Sequence, residues 1–91
     1  MIEYLYNTVL ASAGEDAVIS AIIRDDSGDL VTSGAKLMLY SDTSLLAAFG
    51  GEFDGEAWSF TIPASNYKGR FFYSISVDEN SLCFKQAIYF K

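Results

Sequence analysis

The chain has 91 residues, of which 51% are hydrophobic and 15% aromatic, and a formal net charge of −6. That composition excludes a disordered tail, and one proline among seven glycines excludes low-complexity sequence. Residues 1–91 are read as a single domain, of a size that buries roughly 60–65% of its unfolded surface and so keeps a modest stability margin.

The charge is uneven. Residues 1–56 carry ten acidic and two basic side chains, and residues 57–91 carry two acidic and four basic ones. An acidic chain without a basic run is a poor partner for nucleic acid or an anionic membrane, because both need clustered Lys and Arg. No apolar run approaches the roughly 20 residues of a membrane span. Leu10-Ala11-Ser12-Ala13-Gly14 resembles a signal-peptidase site, but Glu3 and Asn7 interrupt the segment before it and no Lys or Arg precedes it. The expectation is synthesis in the cytoplasm without a signal peptide. The single cysteine, Cys83, cannot form an internal disulfide and reads as a small hydrophobe in a strand.

In chain order, Ile2–Leu10 alternates loosely, with Ile2, Tyr4 and Tyr6 on one side and Glu3, Leu5, Asn7 and Val9 on the other. Both sides are partly apolar. Ala17–Arg24 is the second strand. Asp25-Asp26-Ser27-Gly28-Asp29 is a turn, where Asp and Ser bond their own backbone and Gly28 supplies a left-handed position. Leu30-Val31 is a short extended piece. Ala35–Tyr40 is the third strand, with Leu37 and Leu39 toward the core and Lys36, Met38 and Tyr40 away from it.

Leu45–Phe49 fits a fourth strand or one helical turn, since Leu and Ala suit either. Gly50–Glu56 reads as a hairpin loop dense in glycine and acid. Ala57–Ile62 is the fifth strand, with Trp58, Phe60 and Ile62 on one face, ended by Pro63, which cannot donate to a ladder. After Gly69 comes the longest strand. Phe71, Tyr73, Ile75 and Val77 alternate with Arg70, Phe72, Ser74 and Ser76. A polar turn at Asp78–Ser81 leads to the last strand, Leu82–Lys91, in which Gln86 interrupts the apolar face and implies a bulge or an exposed edge.

About seven short strands without an amphipathic helix make an all-β chain, with a two-sheet sandwich as the expected architecture and a small barrel as the alternative. Trp58-Ser-Phe-Thr-Ile-Pro63, Gly69 and Phe71-Phe-Tyr73-Ser-Ile-Ser-Val77 resemble an immunoglobulin or fibronectin III-like domain. The resemblance implies a tyrosine-corner role for Tyr73 and places Ile75 where antibody domains carry a cysteine. The first cysteine and the third-strand tryptophan of antibody domains are missing, so it implies the architecture alone.

A narrower resemblance is to the immunoglobulin-like N-terminal domains of tailed-phage baseplate and tail-fibre proteins. It rests on Asp25, Gly28 and Val31 of an Asp-x-x-Gly-x-x-Val turn, a strand like Lys36–Tyr40, and the strand–Pro–loop–Gly–strand run of Trp58–Val77. It implies a non-catalytic virion structural role, a homo-oligomer, and contacts with itself or other virion proteins. Met1 at the start fits a small stand-alone virion protein.

Three kinds of chemistry bear on this composition. The absence of histidine removes Ser-His-Asp and Cys-His nucleophilic sites and the usual zinc sets, so no enzyme and no cofactor is expected. Glu52, Asp54 and Glu56 would share a face in a strand, but their glycine neighbours favour a solvated loop over a carboxylate pair. Asp25, Asp26 and Asp29 are weak calcium candidates, since the turn offers oxygens but lacks EF-hand spacing. Tyr4, Tyr6, Tyr40, Phe72 and Tyr89 are candidates for an interface, with Tyr67 also placed outside the core. The first strand, Ile2–Val9, and the last, Leu82–Phe90, are the expected contact edges. The same aromatics, with the acidic loop Gly50–Glu56, would alternatively make a carbohydrate- or receptor-binding module.

Overall fold

The computed structural model describes residues 2–7, 10–12, 14–42, 44–63, 67–78, 80–81 and 85–91. The readings of Val9, Cys83 and the start of the last strand lie outside these residues. The described chain is all β, in ten strands: β1 Ile2–Asn7, β2 Leu10–Ala11, β3 Ala17–Ile23, β4 Ala35–Ser41, β5 Ser44–Gly50, β6 Glu52–Phe53, β7 Trp58–Ile62, β8 Gly69–Val77, β9 Asn80–Ser81 and β10 Gln86–Phe90. Three of them, β2, β6 and β9, are only two residues long. The other seven are the strands that the alternation predicts.

They form two sheets. The first has the order β1-β3-β7-β6, and the second has the order β2-β10-β8-β4-β5, with β9 folded back on β8. Every pairing is antiparallel except β2 with β10. The chain passes between the sheets five times, most directly between β5 and β6, where Gly51 alone makes the link. β8 is flanked by β4 and β10, so the longest strand is a central one.

Period-two alternation turns directly into burial. In β7, Trp58, Phe60 and Ile62 are buried while Ser59 and Thr61 are exposed. In β3, Ala17, Ile19, Ala21 and Ile23 are buried, and in β4, Leu37 and Leu39. With Tyr73, Ile75, Ile88 and Phe90 from the second sheet, these residues fill the space between the layers. Burial of alternate apolar residues from two facing sheets is the main stabilising term of such a sandwich.

The alternation fails at two bulges. In β1, Tyr4 pairs with Ala21 and Tyr6 with Ser20, so Leu5 is an extra residue. One extra residue reverses the faces that follow. Asn7, which simple alternation groups with Glu3, therefore lies opposite the buried Ile19, and Tyr6 turns outward. In β5, Ala47 pairs with Leu39 and Leu45 with Tyr40, which leaves Leu46 as the extra residue. The segment is a strand throughout, not a helical turn.

At the last strand, one of the two readings of Gln86 drops out. Gln86 pairs with Tyr73 in unbroken register, so no bulge lies there, and on the other side of β10 the strand β2 pairs with Tyr89 and Phe90 alone, short of Gln86. Gln86 is half-buried within the second sheet.

Tyr73 is fully buried, and its hydroxyl donates to Asn7 Oδ1. The tyrosine therefore ties β8 in one sheet to β1 in the other through a side chain. The Leu5 bulge is what brings Asn7 to the inner side to accept this bond. Tyr73→Phe is expected to lower unfolding free energy by about 1 kcal/mol, read by urea denaturation, with the core packing otherwise intact.

Candidate functional site

The outward face of the second sheet collects most of the residues that composition marked for contact. Registers place them in rows. Lys36 lies beside Gly50 and Ser76, Met38 beside Ala48 and Ser74, and Tyr40 beside Leu45 and Phe72. Ala87 continues the Tyr40–Phe72 row, and Tyr89 pairs with Arg70 on one side and Leu10 on the other. Ser74 and Ser76 face outward yet are buried, at 2% and 7% exposure. They are small residues on a central strand, shaded by the longer side chains of β4. An open groove of about 760 Å³ runs over Ser76, lined also by Lys36, Met38, Tyr40 and Ala48, with Gly34 and Asp78 at one end.

This face carries cations in an acidic chain. Lys85 Nζ lies 4.0 Å from the centre of the Tyr40 ring, and the Arg70 guanidinium lies 5.0 Å from that of Phe72. With Lys36, the face holds three of the six Lys and Arg residues of the sequence. The two capped rings present a cation to solvent rather than a bare aromatic face.

Of the five predicted interface aromatics, Tyr40, Phe72 and Tyr89 are brought to this face. Tyr6 is exposed but stands on β1 in the first sheet. Tyr4 is placed differently from Tyr6. It is half-buried and packs on the core, because it precedes the bulge and shares the inner side with Ile2. Tyr67 is a correction, packed on Phe71 and Phe90 with ring centroids at 5.5 and 5.7 Å. Prediction from the sequence missed four exposed leucines, Leu5, Leu10, Leu45 and Leu46. The signal was present in Leu45–Phe49, which contains no polar residue to occupy an outer face.

The acidic turns have local uses. Asp25 Oδ1 accepts from the Ser27 and Asp29 amides at 2.9 and 3.0 Å, and Arg24 Nη1 reaches Gly28 O at 2.9 Å. The Asp25 carboxylate is thus the cap of its own turn. Among the described residues no three His, Cys, Asp or Glu side chains gather where they would hold a metal, so Asp25, Asp26 and Asp29 do not converge into a calcium cage.

Glu52, Asp54 and Glu56 do not share a strand face either. Glu52 belongs to β6, and Asp54 Oδ1 closes the following turn by accepting from Ala57 N at 2.8 Å and Glu56 N at 2.9 Å. Those amides, Ala57 first, hold the Asp54 carboxyl below its ordinary range, against the opposing effect of desolvation. A lowered folded-state pKa means stability that is present above the unfolded carboxylate value and lost as pH falls through the folded one. The melting-temperature gap between the wild type and Asp54→Ala is therefore expected to be full near neutral pH and to close below about pH 4. A gap that persists at the acid end contradicts this assignment.

Among the described residues no helix is long and apolar enough to cross a membrane. No family model and no curated protein matches the sequence. Solved structures do match in shape. The Lin-41 filamin domain superposes with a TM-score of 0.70 at 16% identity, covering 99% of this chain and 91% of that one. A structure of domains 4 and 5 of the S-layer protein SbsC superposes with a TM-score of 0.58 at 15% identity, covering 98% of this chain and half of that one, 50%. At such identities the likeness concerns the fold alone, and the fold it establishes for this chain is an immunoglobulin-like β-sandwich.

Proposed function

We propose that the domain is a non-catalytic structural or assembly module acting through protein–protein contacts, of the kind that serves a phage virion as a tail, baseplate or head accessory component. The observation that carries this reading is the second sheet's outward face. Leu45, Tyr40, Phe72 and Ala87 form a row across it, and the exposed pair Tyr89 and Leu10 lies beside them. Grouped apolar and aromatic side chains rimmed by charge have the anatomy of an interface rather than of an idle surface. Tyrosine and arginine, both present here, are the residue types that dominate contact energy.

Molar mass by light scattering across a wide concentration range tests the reading. Assembly predicts a mass above the 10.0 kDa chain, or above that of a co-expressed partner alone, and loss of the complex in Tyr89→Glu. Retention of every complex in that variant and in Tyr6→Lys counts against it. Tyr4, the less informative choice, would test folding instead.

The carbohydrate-binding alternative is less well supported. The acidic loop belongs to the β6–β7 hairpin of the first sheet, whereas Tyr40, Phe72 and Tyr89 stand on the outer side of the second. Sugar stacking needs open rings, and two of the three carry a cation.

A further inference from the structure

We infer that β5 is a self-pairing edge, and that two copies of this chain join antiparallel along Ser44–Gly50 to continue the second sheet across a two-fold axis. This rests on the assembly reading above and specifies its contact. Sheet edges expose unpaired N–H and C=O groups, and soluble proteins blunt them with charge, proline, bulges or brevity. Among the described residues, β2, β6 and β9 are two residues long. β1 carries Glu3 and the Leu5 bulge.

β5 differs from all of these. It is a seven-residue strand at the end of its sheet, Ser-Leu-Leu-Ala-Ala-Phe-Gly, without a charge or a proline. Leu45 and Leu46 are about half exposed, at 52% and 48%. Its bulge sits at Leu46, so Ala47–Gly50 stays in regular register with β4.

The arrangement of charge selects a second copy of β5 as the occupant. In an acidic chain, most contacts between copies set acid against acid. The β1 and β6 edges each bring a glutamate, Glu3 and Glu52, whereas β5 brings none. Antiparallel pairing sets the start of one β5 against the end of the other. Beside the start stands the exposed turn residue Asp42, and beside the end stands exposed Lys36, opposite Gly50. The two-fold axis therefore places an Asp42 near a Lys36 at both ends of the contact. Glu52 follows two residues after Gly50, but by then the chain has crossed at Gly51 into the first sheet. An isologous contact of this kind closes on itself as a dimer.

Sedimentation equilibrium over a wide concentration range, with hydrogen exchange on the same samples, tests the inference. The wild type is expected to move toward twice 10.0 kDa as concentration rises, with amides in 44–50 slowing in step. Leu46→Lys alters an exposed side chain, so circular dichroism should stay unchanged while the dimer constant weakens by more than about tenfold. Lys36→Glu should weaken it less, and by a salt-dependent amount. If oligomers form but survive Leu46→Lys with exchange in 44–50 unaltered, the β5 assignment is overturned. If Tyr89→Glu then dissolves them, the assembly reading still stands. A wild type that stays monomeric throughout overturns both this inference and the self-assembly form of that reading.

Discussion

Trp58→Ala is expected to cost about 3–5 kcal/mol, as deletion of a large buried aromatic does. Domains of this length hold about 5–15 kcal/mol in total, so the variant should sit at the edge of folding. Two separate losses drive the effect. The indole stacks on Phe60 at 6.1 Å between centroids and tilts against Phe53 at 5.5 Å, so truncation opens a cavity in a three-ring group. Its Nε1–H also donates to the Val31 carbonyl at 2.7 Å, while the Val31 amide donates to Ile23 at 2.9 Å. Val31 is thereby clamped on both sides, and with it the end of the Asp25–Asp29 turn. Trp58→Phe separates the two losses, since it keeps most of the packing and removes the donor. It should cost nearer 1–2 kcal/mol by thermal or urea unfolding. Equal costs for the two variants would show that packing contributes little.

Gly51→Ala is the second large effect, expected to destabilise by about 1–3 kcal/mol through overpacking. Gly51 is the link at which the chain leaves β5 in the second sheet and enters β6 in the first. A Cβ there would lie 2.5 Å from Phe60 Cε1 and 2.8 Å from Trp58 Cε3. Both rings are buried and held by neighbours, so neither can swing aside. At roughly 4–8 °C per kcal/mol for a domain of this size, the change is easily read as a lower melting temperature. Gly50→Ala, one residue away, meets nothing within 4 Å and serves as the control. A Gly51→Ala protein as stable as that control would show that the crossing is looser than its geometry.

The two variants show which parts of the molecule the sequence revealed. That Trp58, Phe60 and Ile62 face a core was legible from period two alone, because strand side chains alternate whatever the strand pairs with. The role of Gly51 was not. It read as one of several glycines in an acidic loop, and its requirement comes from two rings on a strand whose position beside it only the fold creates. Asp54 likewise read as one of three alternating acids, and became a turn cap once β6 and β7 were paired.

The candidate surface divides in the same way. The outward placement of Tyr40 and Phe72 follows from the inward placement of Leu39, Leu37, Tyr73 and Ile75, and was legible. Tyr4 and Tyr6 are equivalent by alternation, and the Leu5 bulge separates them, sending one to the core and the other to solvent. A bulge is set by how two strands register against each other, so local alternation does not announce it.

By itself the sequence determined that this is an all-β chain of seven principal strands, with no histidine-based chemistry, and it determined most of the residues in the core. These properties follow from composition and from a short-range period. Tertiary structure alone decided which strands are edges. It set β2 beside the end of the last strand and left β5 at the margin. It also crossed the chain at Gly51 and joined Tyr73 to Asn7 across the two sheets. Edge, crossing and cross-sheet bond all depend on contacts between residues far apart in the chain, and neither alternation nor composition encodes those distances.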